Sequence, residues 1–139
     1  MGWLAQGRSL EDVSAELEAS GKRATQQLID SMPSKKNYQL LRHVVGIERW
    51  GQSRLKVMLG EPLTLDDYDG YRPTQGMSWN ELQDAFEATR EETLQIIEEL
   101  SAKEVEGVLV PHNEYGELTA VQWLVYLRNH ANIELWKLN

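Results

Sequence analysis

Apolar residues recur at three- and four-residue spacing through four long stretches of the chain, and the stretches between them lack that rhythm. In the first, from Ser9 to Met32, Leu10, Val13, Leu17, Ala24 and Leu28 form one stripe and charges fill the other side. Ser9 predicts an N-cap, and Pro33 blocks continuation. The second starts at Ser34 and ends near Gly60, with Leu40, Leu41, Val44, Ile47, Leu55 and Met58 as its stripe. Pro62 prevents a restart. The third opens on Ser78-Trp79-Asn80-Glu81, a capping-box pattern, and continues through Leu82, Phe86, Thr89, Thr93, Ile96, Ile97 and Leu100. The fourth opens on Thr119-Ala120-Val121-Gln122 and runs to the end of the chain, with Ala120, Trp123, Leu124, Leu127, Ala131, Leu135 and Leu138 facing inward. The pattern predicts an all-α fold of four helices in a single domain over residues 1–139.

Two connections stand out. Glu61 to Met77 carries two prolines, two glycines and three aspartates. It reads as a long loop crossing one end of the bundle, pinned by Tyr68 and Tyr71, and loops of this length are often functional. Ser101-Ala102-Lys103-Glu104 repeats the capping-box pattern and predicts one separate short helical turn. Gly107 to Leu118 reads as irregular, with Val108 to Val110 extended before a turn at Asn113 to Gly116.

Composition narrows the function. The formal charge is −8, and the basic pairs Lys22-Arg23 and Lys35-Lys36 are isolated. That balance argues against a nucleic-acid partner, since phosphate-binding surfaces cluster Lys and Arg. Glu87, Glu91, Glu92, Glu98 and Glu99 read as a solvated face. With no cysteine, disulfides, thiolate metal sites and cysteine nucleophiles are excluded. No segment has the roughly 20 apolar residues of a membrane helix, and the start, Met1 to Gln6, lacks the basic flank of a secretion signal. A cytoplasmic protein without membrane contact is expected. Phosphate-cradling glycine loops, the G-x-S-x-G elbow and the H-E-x-x-H motif are missing.

Three histidines remain. His130 and Glu134 are four residues apart, so on a helix they project from one face, with Tyr126 one turn earlier. His43 lies midway along the second helix. If helices two and four are neighbours, His43 faces His130 and Glu134 across the bundle. Two imidazoles and one carboxylate suit Zn, Ni, Mn or Fe with positions left for water or substrate. Tyr126, Trp50 and Ile47 are the expected lining, and Trp50 and Trp79 are candidates to line one cleft. The plainer alternative is an ordinary helix-surface pair worth about 0.2–0.5 kcal/mol. His112, after Pro111, reads as an exposed loop residue, and the five tryptophans as core and bundle-end packing.

The segment Leu41-Arg42-His43-Val44-Val45-Gly46-Ile47-Glu48-Arg49-Trp50 resembles the second helix of DinB/YfiT-like proteins. Trp123 to Glu134 resembles their last helix, and the order of the segments between also matches. The resemblance implies a four-helix bundle running up-down-down-up, with the long loop between helices 2 and 3. It also implies a divalent metal on three histidines. His43 and His130 match two of these, and Glu134 stands where the third is expected. Some members of the family resemble thiol-dependent S-transferases that use low-molecular-weight thiols, and others resemble hydrolases or isomerases. The alternative expectation is a non-enzymatic helical module for dimerisation or protein interaction with a degenerate metal site. A homodimer fits either reading.

Overall fold

The computed structural model describes residues 7–139. The expectation about the leader segment, and Trp3 with it, lies outside the described residues. Four helices form: α1 (Leu10–Ile29), α2 (Lys35–Val57), α3 (Trp79–Lys103) and α4 (Ala120–Leu135). Each starts where the sequence supplies a cap. The hydroxyls of Ser9, Ser34, Ser78 and Thr119 accept from the amides of Asp12, Asn37, Glu81 and Gln122. At Ser9, Ser78 and Thr119 the reciprocal bond completes a capping box.

Helix α1 is diagonal to α2, and α3 to α4: α1 and α2 each pack against both α3 and α4. Cross-links fix the directions. Tyr38, near the start of α2, holds the carbonyl of Met77 just before α3, while Glu48 pairs with Arg90 and Lys56 with Glu92 further along. Helices α2 and α3 therefore run parallel. Asn37 meets Asn139 at one end of α4, and Trp50 meets Trp123 at the other, so α4 is antiparallel to α2. Glu16 pairs with Arg128 and Gln27 donates to the carbonyl of Leu135, so α1 runs with α4. The order is up-down-down-up, as the family resemblance implies.

Two parallel neighbours cannot be joined by a tight turn, and this corrects the reading of residues 61–77 as a crossing at one end. The connection travels back along α2. The Trp50 indole donates to Asp66 O at 3.3 Å, a 3₁₀ turn follows at Tyr68–Tyr71, and Arg42 donates twice to Pro73 O, at 2.9 and 2.7 Å. Tyr68 and Tyr71 pack against the core as expected.

Three further expectations are corrected. Ser101 opens no new turn. Leu100 is fully buried at the end of a continuous apolar row, so the backbone there is already helical and Ser101 has no free amide to cap; α3 stops at Glu104, which adopts a left-handed conformation (φ 57°). Residues 107–118 are partly regular: β1 (Val110–His112) and β2 (Gly116–Leu118) pair antiparallel, with Val110 opposite Leu118. Helix α4 ends at Leu135, and the residues after it turn back so that Asn139 and Asn37 bond each other.

The core has two apolar parts. One, around Leu17, Ile47, Trp50, Leu100, Trp123 and Leu127, lies toward the hairpin; the other, around Leu28, Leu41, Val45, Leu82 and Phe86, lies toward the α1–α2 turn. Between them sits a buried polar layer. Arg90 donates to both oxygens of Glu48 at 2.9 Å and also to Leu17 O, while Thr93 donates to Glu48 at 2.8 Å and accepts from Gln52 at 2.9 Å. With its oxygens and nitrogens bonded, this layer escapes the cost of unpaired buried charge. Of the tryptophans among the described residues, one departs from the expected packing role, and the other expectation, a cleft shared by Trp50 and Trp79, is corrected. Trp136 is 86% exposed, and Trp79 packs on the α1–α2 side while Trp50 packs on the hairpin side, so the latter two line no common cleft.

Candidate metal centre

His43 leaves α2 one turn before Ile47, and His130 and Glu134 leave α4 one turn apart. Two features bring these helices together. One is the apolar face of α4, buried from Ala120 to Leu135. The other is Gly51: a methyl group there would stand 2.6 Å from both terminal carbons of Leu127, so only glycine permits this approach without movement.

The result is a convergent trio. The Nε2 atoms of His43 and His130 face each other at 3.2 Å, and Glu134 Oε1 lies 3.9 Å from His130 Nε2. One donor atom from each residue falls within 4.8 Å of the others. All three side chains are half-buried. The pairing that the sequence made conditional on α2 and α4 being neighbours is thus present.

Electrostatics keep the imidazoles neutral. Burial lowers the pKa of His130 to about 4, with the neighbouring His43 adding to the effect. Burial also lowers His43, against the opposing pull of Glu134. Burial pushes the Glu134 carboxyl up, but the hydrogen bond and charge of Lys137, with smaller help from the histidines, outweigh it and leave the group below its ordinary value. Lys137 holds Glu134 Oε2 at 2.9 Å. Near neutrality the trio presents two neutral rings and one carboxylate, the protonation states in which these groups ligate metal.

The donor set passes a simple test of fit. Nitrogen–metal bonds of about 2.0–2.1 Å in a tetrahedral arrangement separate two donors by roughly 3.3 Å, close to the imidazole spacing found here. Less typical is the outer shell. A ligating histidine usually donates its second ring nitrogen to an acceptor, whereas His130 Nδ1 is buried without a partner among the described residues. Packing against Tyr126 and His43 therefore holds this ring.

The other expected lining residues divide. Tyr126, half-buried, bridges the trio and the hairpin: its ring centroid is 6.2 Å from His130 and 4.4 Å from His112. Burial raises its pKa to about 12, so it remains a protonated phenol. Trp50 and Ile47 are buried in the core on the hairpin side, and Trp50 reaches Tyr126 at 6.4 Å.

His112 corrects its expectation. It is 5% exposed, enclosed by Trp50, Trp123, Tyr115 and Tyr126. Its Nδ1 accepts the amides of Glu114 at 2.9 Å and Tyr115 at 3.3 Å, which turns the hairpin, and burial with the nearby Arg54 lowers its pKa to about 4. Sequence reading also missed Arg72. Its guanidinium lies 5.5 Å from the Tyr68 ring centroid, and that ring stands edge-on to His43 at 5.1 Å. The loop that carries Tyr68 and Arg72 had no helical period to orient them.

Among the described residues no helix is long and apolar enough to cross a membrane. No curated protein and no solved structure matches the chain. The family model of the DinB superfamily matches residues 34–133, which takes in α2, the long loop, α3, the hairpin and all but the end of α4. With most of its length matched and the four-helix arrangement in place, the chain belongs to the DinB superfamily.

Proposed function

We propose that His43, His130 and Glu134 hold one divalent cation, Zn, Ni, Mn or Fe, and that the protein is a metal-dependent S-transferase acting with a low-molecular-weight thiol. The observation that carries the metal assignment is the 3.2 Å approach of two neutral imidazole nitrogens beside an ionised carboxylate. In the neutral rings one Nε2–H can donate to the other ring, and a cation between the two nitrogens would engage both lone pairs at once. The bound metal would act as a Lewis acid that lowers the pKa of a coordinating thiol or water. The protein's own part is to fix the donors on two rigid helices and to exclude bulk water with Tyr68 and Tyr126. It also keeps Glu134 ionised through Lys137. The transferase assignment draws on the resemblance of some family members to thiol-using enzymes.

The test has two stages. Metal content of purified protein and of the His43→Ala and His130→Ala variants is measured first, with helicity as the control for folding. Conjugation of small thiols to an electrophile is then followed with metal-loaded protein. One metal per chain, lost in both variants, supports the site. Full occupancy retained by either alanine variant rejects it, and absence of turnover across several thiols rejects the transferase.

A second reading is a helical dimerisation module with a degenerate site. It is favoured by Ile133 and Trp136, one turn apart at the end of α4 and 64% and 86% exposed. Metal-free, dimeric protein that takes up no cation would select it.

A further inference from the structure

A set of hydrogen-bond donors whose N–H and O–H groups the metal-site reading leaves unused sits beside His43 and His130. Gly46 is three residues after His43 on α2, so the two share a face. Arg72 lies directly on Gly46: a methyl group there would meet Arg72 Cγ at 2.9 Å and Arg72 Cα at 3.3 Å. The bare backbone of α2 at this point seats the end of the 3₁₀ turn next to His43. Tyr68 lies between, its ring edge-on to His43 and its face under the Arg72 guanidinium. On the α4 side Tyr126 flanks His130.

These side chains are donors with little to satisfy them. Arg72 pairs with Asp69 through one nitrogen at 3.0 Å, and Asp69 itself points mostly to solvent. A guanidinium has five N–H groups, so most of its capacity is free, and the side chain is 36% exposed. The hydroxyls of Tyr68 and Tyr126 make no hydrogen bond with the described residues, unlike those of Tyr38 and Tyr71. Arg72 and Tyr68 thus border the trio on its His43 side and Tyr126 on its His130 side, and the acids that reach His43 are Glu134 and the Asp69 that pairs with Arg72.

We propose that Arg72, Tyr68 and Tyr126 form an anion-receiving edge, so that this site takes a ligand carrying a carboxylate beside the atom it presents to the trio. The inference rests on the metal-site reading for the ligand's second anchor, and on Arg72 alone for its charge selectivity. A planar guanidinium receives a carboxylate through two parallel bonds, and the phenols supply the remaining donors. A neutral amide of the same shape gives the edge no charge to meet.

The probes are acetate and its uncharged counterpart acetamide, titrated into zinc-loaded and metal-free protein. Binding is followed through the backbone amide resonances of Gly46 and Gly70, and zinc content is measured separately. The expected result is saturable shifts with acetate and none with acetamide in both forms. R72Q weakens acetate by about tenfold with zinc content and helicity unchanged, since bonds to a charged group carry that magnitude. R72K retains part of the affinity, and Y68F and Y126F each lose a few-fold. Acetate binding undiminished in R72Q, acetamide binding equal to acetate, or no acetate binding in either form overturns the proposal. The two readings fail separately. Protein that takes up none of zinc, nickel, manganese or iron yet binds acetate through Arg72 rejects the metal site and keeps the edge. Zinc uptake without any dependence on Arg72 does the reverse.

Discussion

The imidazoles of His43 and His130 meet nitrogen to nitrogen at 3.2 Å across two antiparallel helices, although 87 residues separate them in the chain. Near neutral pH both rings are unprotonated, so one N–H can point at the other ring's lone pair, and a metal between them replaces that single bond with two. Metal added at 100 times its dissociation constant stabilises the native state by about 2.7 kcal/mol. The expected outcome is a zinc-dependent rise in melting temperature, abolished in His43→Ala and reduced in Glu134→Gln. Calorimetry with and without a chelator measures it, and an equal rise in His43→Ala would locate the metal elsewhere.

The ion pair of Glu48 and Arg90 is almost wholly buried between the two halves of the core. Arg90→Met leaves a buried carboxylate with only Thr93 as partner and is expected to cost about 3–5 kcal/mol in urea unfolding. The double variant Glu48→Met with Arg90→Met recovers much of that loss, because the pair's own desolvation penalty disappears. A double variant no better than the single one would show that the layer stabilises in its own right.

Acid should loosen the fold before the carboxylates protonate. His43, His112 and His130 have pKa values lowered in the native state, the latter two to about 4, while in the unfolded chain they lie near 6.5. Between those values the unfolded chain binds more protons, so stability falls as pH drops from about 6.5 toward 4 and is level above that window. Urea midpoints of metal-free protein at pH 5 and pH 7 check this. His112→Gln is expected to flatten the difference in part, and a midpoint that does not change between the two pH values would contradict it.

Arg54 is 1% exposed and ties three segments together. It donates to Pro111 O at 2.5 Å, Asp66 O at 2.8 Å and Asn113 Oδ1 at 2.9 Å, and its guanidinium lies 5.0 Å from the Trp50 ring centroid. Arg54→Leu takes this donor from Pro111 O and Asn113 Oδ1, while Asp66 O keeps those of Trp50 and Asn113, and the cost is about 1–3 kcal/mol for each acceptor left buried and unpaired. Hydrogen exchange should accelerate first in residues 61–66 and 110–118 and leave α1 and α3 protected. Uniform acceleration across the chain would mean that Arg54 supports the whole core instead.

Gly51 sets how closely α2 approaches α4. Gly51→Ala is expected to destabilise by about 1–3 kcal/mol, as overpacking does, and also to weaken zinc binding by separating His43 from His130. Unchanged metal affinity alongside lost stability would show that the two helices adjust independently.

Much of this was legible from spacing. The caps at Ser9, Ser78 and Thr119, the stripes through Leu17, Val44 and Leu124, and the joint projection of His130 and Glu134 all follow from local period and chemistry. What escaped depends on which distant segments meet. His112 looked like a polar loop residue because Pro111 and Asn113 flank it; it is buried because Trp50, Trp123 and Tyr126 arrive from two other helices. Arg72 carried no signal at all, since its position beside His43 is created by the absent side chain of Gly46. Ser101 misled for the opposite reason: a local capping pattern lost to the burial of Leu100.

The parallel course of α2 and α3 turns the segment between them into a ruler. A helix of the length of α2 rises about 35 Å at 1.5 Å per residue, and a chain covers at most about 3.5 Å per residue, so roughly ten residues are needed merely to regain the starting level. Residues 58–78 exceed that minimum by about twofold, and the surplus is what allows the 3₁₀ turn to bring Tyr68 and Arg72 beside His43. Progressive trimming should therefore first strip the trio of its neighbours while the helices stay assembled. Only near the minimum span would α3 have to reverse and the bundle lose its order.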